Sequence, residues 1–214
     1  LIKIKDITNN VNILSKTLPG LNIDSIFLEQ NGIIEKCFYK DEELHELRSC
    51  AKLLVAMAVG IAIDKKLLIQ GKPLTLNTQI YPAIKNVINI TNKSNIDKIK
   101  KWTIKNLLTH TTGYESQMLS ERFIQDIDKE QLVNYALNYD IPYDVGSRFA
   151  YNNVEPFILS VFFQEAFNQN LADFINENIF KKMQFYSFIC THQSRRITRM
   201  HDFTFTMPAG IRYG

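Results

Sequence analysis

The sequence predicts an α+β fold, an antiparallel sheet packed by helices and joined to an all-helical region. Three observations lead there. Residues 23–39 read as two short strands rich in apolar residues on either side of Asn31-Gly32, a strong hairpin turn signal. Ala51 to Ile63 is an apolar run of helical length in which Lys52 is the sole polar side chain. Beyond it, apolar residues recur at helical spacing between loops marked by Gly and Pro. The chain has 214 residues, 45% of them hydrophobic and 22% charged, with 8 Gly and 6 Pro. That is enough to bury a sizeable core, and it excludes collagen, a disordered acidic chain and a disulfide-built mini-protein.

The hairpin strands carry apolar residues on both faces, so other elements should pack on them. Two strands alone are not a stable sheet. Further strands are expected from Leu1–Asp6 and from Phe203–Met207, where Thr and Phe alternate. The run from Ala51 to Ile63 is too short for a bilayer crossing of ~20 residues. Being apolar all round, it predicts a helix buried in the core, with close helix packing as the reason for Gly60. Residues 67–101 read as loops and short elements around Gly71, Pro73 and Pro82. Thr103 to His110 predicts a short helix that stops at Thr111-Thr112-Gly113, and residues 121–139 a longer amphipathic one. Pro142 and Gly146 break the chain before an apolar helix over 153–167 and another over 171–180.

The net charge of +3 comes from the last 24 residues, where Arg195, Arg196, Arg199 and Arg212 face Asp202 alone. Surface charge explains this better than nucleic-acid binding, which is not expected. Cys37, Cys50 and Cys190 form no CxxC, and His45, His110, His192 and His201 lack HxxxH or HExxH spacing, so neither a zinc site nor a disulfide framework is predicted. Cysteine usage favours a reducing, cytoplasmic compartment. The start at Leu1 keeps open an exported protein whose leader has been removed.

Two polar islands could carry chemistry. Ser49-Cys50-Ala51-Lys52 is the one S-x-x-K in the chain, and it enters the apolar helix. One reading makes Ser49 a helix N-cap and Lys52 a snorkelling surface residue. Against it, Lys52 would then stand where a capping box takes Glu or Gln, and its charge would oppose the helix dipole. The other reading is chemical. One helical turn brings Lys52 beside Ser49, a buried amine becomes available as a base, and such a base can activate a hydroxyl. The second island is Tyr151-Asn152-Asn153, either a cap for the following helix or a phenol and an amide aimed into a cleft. His110, without an acidic partner at informative spacing, reads as a satisfied structural side chain.

Taken together, four segments resemble the β-lactamase family in its class C-like branch, with its penicillin-binding-protein-like peptidases, esterases and amidases. LRSCAK with the helix after it is similar to the nucleophile helix. WTIKNLLTHTTGY is similar to the LLTHTSG segment, FAYNN to the Tyr-x-Asn motif, and IFKKMQF to IFxPLGM. The likeness runs from about Leu18 to Phe185.

The resemblance implies a β-lactamase/transpeptidase-like fold and a serine hydrolase that cleaves a small-molecule ester, amide or peptide through an acyl-enzyme, with no cofactor. Ser49 would be the nucleophile and its backbone N–H an oxyanion donor. Lys52 and Tyr151 would transfer protons, and Asn153 would bind substrate or Lys52. Residues 1–66 would supply the hairpin and nucleophile helix of the α/β part, 67–155 the helical region, 156–190 the returning helices, and 191–214 a divergent basic tail. The family's Lys/His-Thr/Ser-Gly strand has no counterpart after Tyr151. The late sheet strands are therefore expected to be missing and the chain to be C-terminally incomplete. A binding or sensor module of the same fold, or an inactive fragment, is the alternative.

Overall fold

The computed structural model describes residues 4–17, 20, 23, 25–38, 44–116, 131–183, 189–190 and 205–208. It divides into two compact units, residues 1–46 with 187–189 and 206–214, and residues 47–186 with 190–205.

In the first unit, helix α1 (Ile4–Thr17) packs on strands β1 (Ser25–Gln30) and β2 (Ile33–Phe38). The expected strand at Leu1–Asp6 is thus corrected, because residues 4–6 begin this helix. Ile4, Ile7, Val11 and Leu14 recur at helical spacing, a repeat too long to show in six residues. The hairpin register pairs Gln30 with Ile33 across Asn31 and Gly32, whose φ angles of 55° and 78° suit a two-residue turn. Packing on the hairpin is less complete than expected, since Phe27, Ile33 and Ile34 are exposed. Strand β3 (Leu44–Glu46) pairs with a late strand at Phe205–Pro208, which also borders Ile189–Cys190. The strand foreseen near Phe203–Met207 therefore exists, but it joins β3 rather than the hairpin.

The second unit is helical. A 3₁₀ turn at Arg48–Cys50 leads into α2 (Ala51–Asp64). A small ribbon, β4 (Leu68–Ile69) and β5 (Lys72–Pro73), follows, and then α3 (Tyr81–Ile84), α4 (Lys93–Ile99), α5 (Ile104–Leu108), α6 (Leu132–Asn138), α7 (Val154–Phe167) and α8 (Leu171–Ile175). Helix α8 runs on as a π-helical turn through Phe180. The two late segments of the small sheet that contains β3 are numbered β6 (Ile189–Cys190) and β7 (Phe205–Pro208). Of the helix expected over 121–139, residues 132–138 are helical, and 117–130 lie outside the described residues.

Helix α7 is the centre of this unit and packs on α2, α3, α5 and α8. Its Phe157, Phe162 and Phe163 are buried, and Phe163 meets Phe174 edge-on at 5.4 Å. Trp102 and Tyr114 complete the aromatic core, the indole donating to Thr112 O and the phenol to Ala136 O. Helix α2 departs from the expectation of burial on every side. Leu54, Val55, Ala58, Val59 and Ala62 are buried, while Leu53 is 65% and Met57 40% exposed. Close packing does not explain Gly60 either, because a Cβ there would meet nothing within 4 Å.

Candidate active site

The site forms where the start of α2 meets the loop before α7. Ser49 lies in the 3₁₀ turn and is exposed. Arg48 before it is left-handed, at φ 46°, a conformation that non-glycine residues adopt uncommonly. Helix α2 takes Cys50 as its N-cap, with no capping bond from that side chain. The capping role considered for Ser49 therefore falls to its neighbour.

Lys52 lies one turn along and is half-buried, so its amine is only partly withdrawn from water. Its Nζ donates to Ser49 Oγ at 3.3 Å and to Asn153 Oδ1 at 2.7 Å. It also lies 4.8 Å from the centre of the Tyr151 ring. Partial burial pushes the Tyr151 phenol up. Hydrogen bonding with Lys52 and Ser49, together with the Lys52 charge, outweighs that and leaves it below the ordinary tyrosine value. Ser49, Lys52, Tyr151 and Asn153 thus come together, although the two pairs lie about a hundred residues apart in sequence.

The loop that carries Tyr151 is held by the segment after α5. Backbone bonds run from Tyr143 N to Gly113 O, from Gly146 N to Thr111 O and from Ala150 N to His110 O. Gly113, at φ 101°, is required there, since a Cβ would lie 2.4 Å from Tyr143 O. Asn152 Oδ1 accepts from Val154 N at 2.8 Å and so ties the loop to the first turn of α7.

Sequence reasoning missed Glu155. It is fully buried in the first turn of α7. Its carboxylate accepts from Thr112 Oγ1 at 2.7 Å and from Asn152 Nδ2 at 3.0 Å, and lies 3.2 Å from His110 Nδ1. His110 does have an acidic partner, but it stands 45 residues away and only folding brings it near. The one sequence signal was a carboxylate just ahead of the stretch from Pro156 to Phe163, which is apolar but for Ser160, where ionised groups are rarely buried unless paired. Glu155 also joins burial in pushing the Tyr114 phenol up.

Among the described residues, no cluster of three or more His, Cys, Asp or Glu side chains could hold a metal ion. Among them, no helix is long and apolar enough to cross a membrane.

The model of the beta-lactamase family matches residues 38–207, starting later and reaching further than the likeness traced by motifs. No curated protein sequence matches the chain. Solved structures do. A putative beta-lactamase from Bacteroides dorei DSM 17855 superposes with a TM-score of 0.66 at 11% identity, over 98% of this chain and 60% of that one. EstCE1, a hydrolase with promiscuous acyltransferase activity, gives 0.65 at 15%, over 87% and 52%. D-amino acid amidase from Ochrobactrum anthropi SV3 gives 0.59 at 12%, over 82% and 61%. The chain spans about half to three-fifths of the length of these structures. At such identities the likeness shows the fold.

Proposed function

Because the chain belongs to the beta-lactamase family, we propose that it is a serine hydrolase that cleaves an ester or amide through an acyl-enzyme on Ser49. The observation that carries this reading is the meeting of Ser49 Oγ and Asn153 Oδ1 on one amine nitrogen, with the Tyr151 ring against it.

Ser49 Oγ attacks the substrate carbonyl and forms a C–O bond while its proton passes to the phenolate of Tyr151. The Lys52 charge favours that phenolate, because it stabilises the deprotonated ring oxygen beside it. Collapse of the tetrahedral intermediate breaks the bond to the leaving group, which takes the proton from Tyr151. Water then repeats the sequence on the acyl-enzyme and restores the Ser49 hydroxyl. The backbone N–H of Ser49, at the entrance of α2, faces the charge that develops on the carbonyl oxygen. Asn153 holds Lys52 in place through its 2.7 Å bond.

A fluorophosphonate probe tests the reading without knowledge of the substrate. It is expected to label Ser49, to leave Ser49→Ala unlabelled, and to react ~10²–10⁴-fold more slowly with Tyr151→Phe, the range for a positioned proton-transfer group. A folded chain that shows no labelling overturns the reading.

A further inference from the structure

Resting on the serine-hydrolase reading, we propose that His110 is a positioning residue, one that holds the Tyr151 ring in its working orientation while Glu155 holds His110. The rings of His110 and Tyr151 are 5.0 Å apart, tilted by 43°. Phe149 meets the same imidazole edge-on at 6.0 Å. These contacts matter because Tyr151 is itself 40% exposed, in a loop rather than on a regular element, and needs a wall to fix its ring. A phenol displaced by a fraction of an ångström would lose its geometry with both Ser49 and Lys52.

The imidazole is in turn fixed from behind. Its side chain is 13% exposed, and its Nδ1 lies 3.2 Å from Glu155 Oε2. With the carboxylate as acceptor, Nδ1 carries the proton, which sets the tautomer and the ring plane. Glu155 has little freedom of its own, because Thr112 and Asn152 also donate to it. The His110 backbone is constrained as well. Its carbonyl accepts from Ala150 N, next to Tyr151, and its φ is 51°, in the left-handed region. A residue held there by its surroundings, with a ring against a proton-transfer group, has the marks of a built support. Lys52, Ser49 and Cys50 act on the phenol from the α2 side, and His110 meets its ring from the segment after α5.

The experiment separates ring from hydrogen bond. His110→Asn removes the ring, keeps an amide donor for Glu155 and tolerates the left-handed backbone. His110→Phe keeps a ring and removes the donor. Fluorophosphonate labelling of Ser49 is expected to slow ~10–100-fold in His110→Asn, the cost of a misplaced group, and to recover only part of that loss in His110→Phe, which has the ring but neither the bond to Glu155 nor an easy fit to the left-handed backbone. Labelling of His110→Asn at the parent rate, or an equal loss in both variants, overturns the proposal. His110→Gln replaces His110→Asn if thermal unfolding shows the latter does not fold. Should the parent chain itself fail to label, the serine-hydrolase reading fails instead. The ultraviolet titration of the phenol, taken as the difference from Tyr151→Phe, then decides the positioning role. A Tyr151 titration that moves to higher pH in His110→Asn supports it, and an unchanged titration overturns it.

Discussion

Lys52 Nζ donates to Asn153 Oδ1 over 2.7 Å, joining the first turn of one helix to the entrance of another across 101 residues of sequence. The same nitrogen reaches Ser49 Oγ at 3.3 Å, so the amide and the hydroxyl are placed by a common partner. Asn153 occupies the N-cap position of α7 yet makes no side-chain capping bond there. Its side chain serves the lysine, and the cap of α7 comes from Asn152.

Asn153→Ala should therefore reduce reactivity through Lys52 rather than through the helix. A hydrogen bond to a charged group is worth ~1.5–3 kcal/mol, which sets an expected ~10–100-fold slower labelling of Ser49. Thermal unfolding of the variant should stay close to that of the parent. A parent-like labelling rate would show that the bond does not orient the amine.

The phenol of Tyr151 should ionise below 10.0, the ordinary value, and Lys52→Met should return it upward. Between the lowered value in the folded chain and the ordinary value in the unfolded one, the unfolded state binds more protons. The contribution of this group to stability thus grows with pH across that window. It is complete above the unfolded value and lost as pH falls through the folded one. With Tyr151 40% exposed, solvent screens the effect, and the titration is a better readout than stability. An ultraviolet difference titration against Tyr151→Phe that is unaffected by Lys52→Met would refute the assignment.

Glu155→Leu should destabilise the second unit by ~3 kcal/mol, since it strands the Thr112 hydroxyl, the Asn152 amide and His110 Nδ1 in the interior. Glu155→Gln keeps one acceptor oxygen and should cost distinctly less. Urea denaturation of the two variants checks the order.

Gly113→Ala should cost ~2–3 kcal/mol, the upper part of the usual range for point substitutions. The added Cβ would stand 2.4 Å from Tyr143 O and 3.0 Å from Ile141 Cγ2, at a φ that L-residues rarely adopt. Because Gly113 O also receives Tyr143 N, relief of the clash would open the backbone bonds that carry the Tyr151 loop. Slower labelling of Ser49 is expected beside the lower urea midpoint.

Some of this was legible residue by residue. Asn31-Gly32 requires positive φ at both positions and predicts the hairpin whatever surrounds it. The spacing of Ser49 and Lys52 needs only a helical turn to bring hydroxyl and amine together. Capping was less secure. Ser49 has the chemistry of an N-cap, but the backbone enters α2 through a 3₁₀ turn and passes that position to Cys50. Helix α1 is not legible in residues 1–6, because its apolar repeat extends beyond them.

What the sequence by itself determined were the local pieces: the hairpin, the apolar helices, and a serine one turn from a lysine. These depend on interactions within a few residues, which composition and periodicity record. The family resemblance implies that Tyr151 and Asn153 join that lysine, but only the tertiary structure decided the contacts they make with it, that Glu155 receives Thr112, Asn152 and His110, and which sides of α2 are covered. Each of those joins residues dozens of positions apart, and their meeting follows from how α2, α5 and α7 pack, which no local pattern encodes.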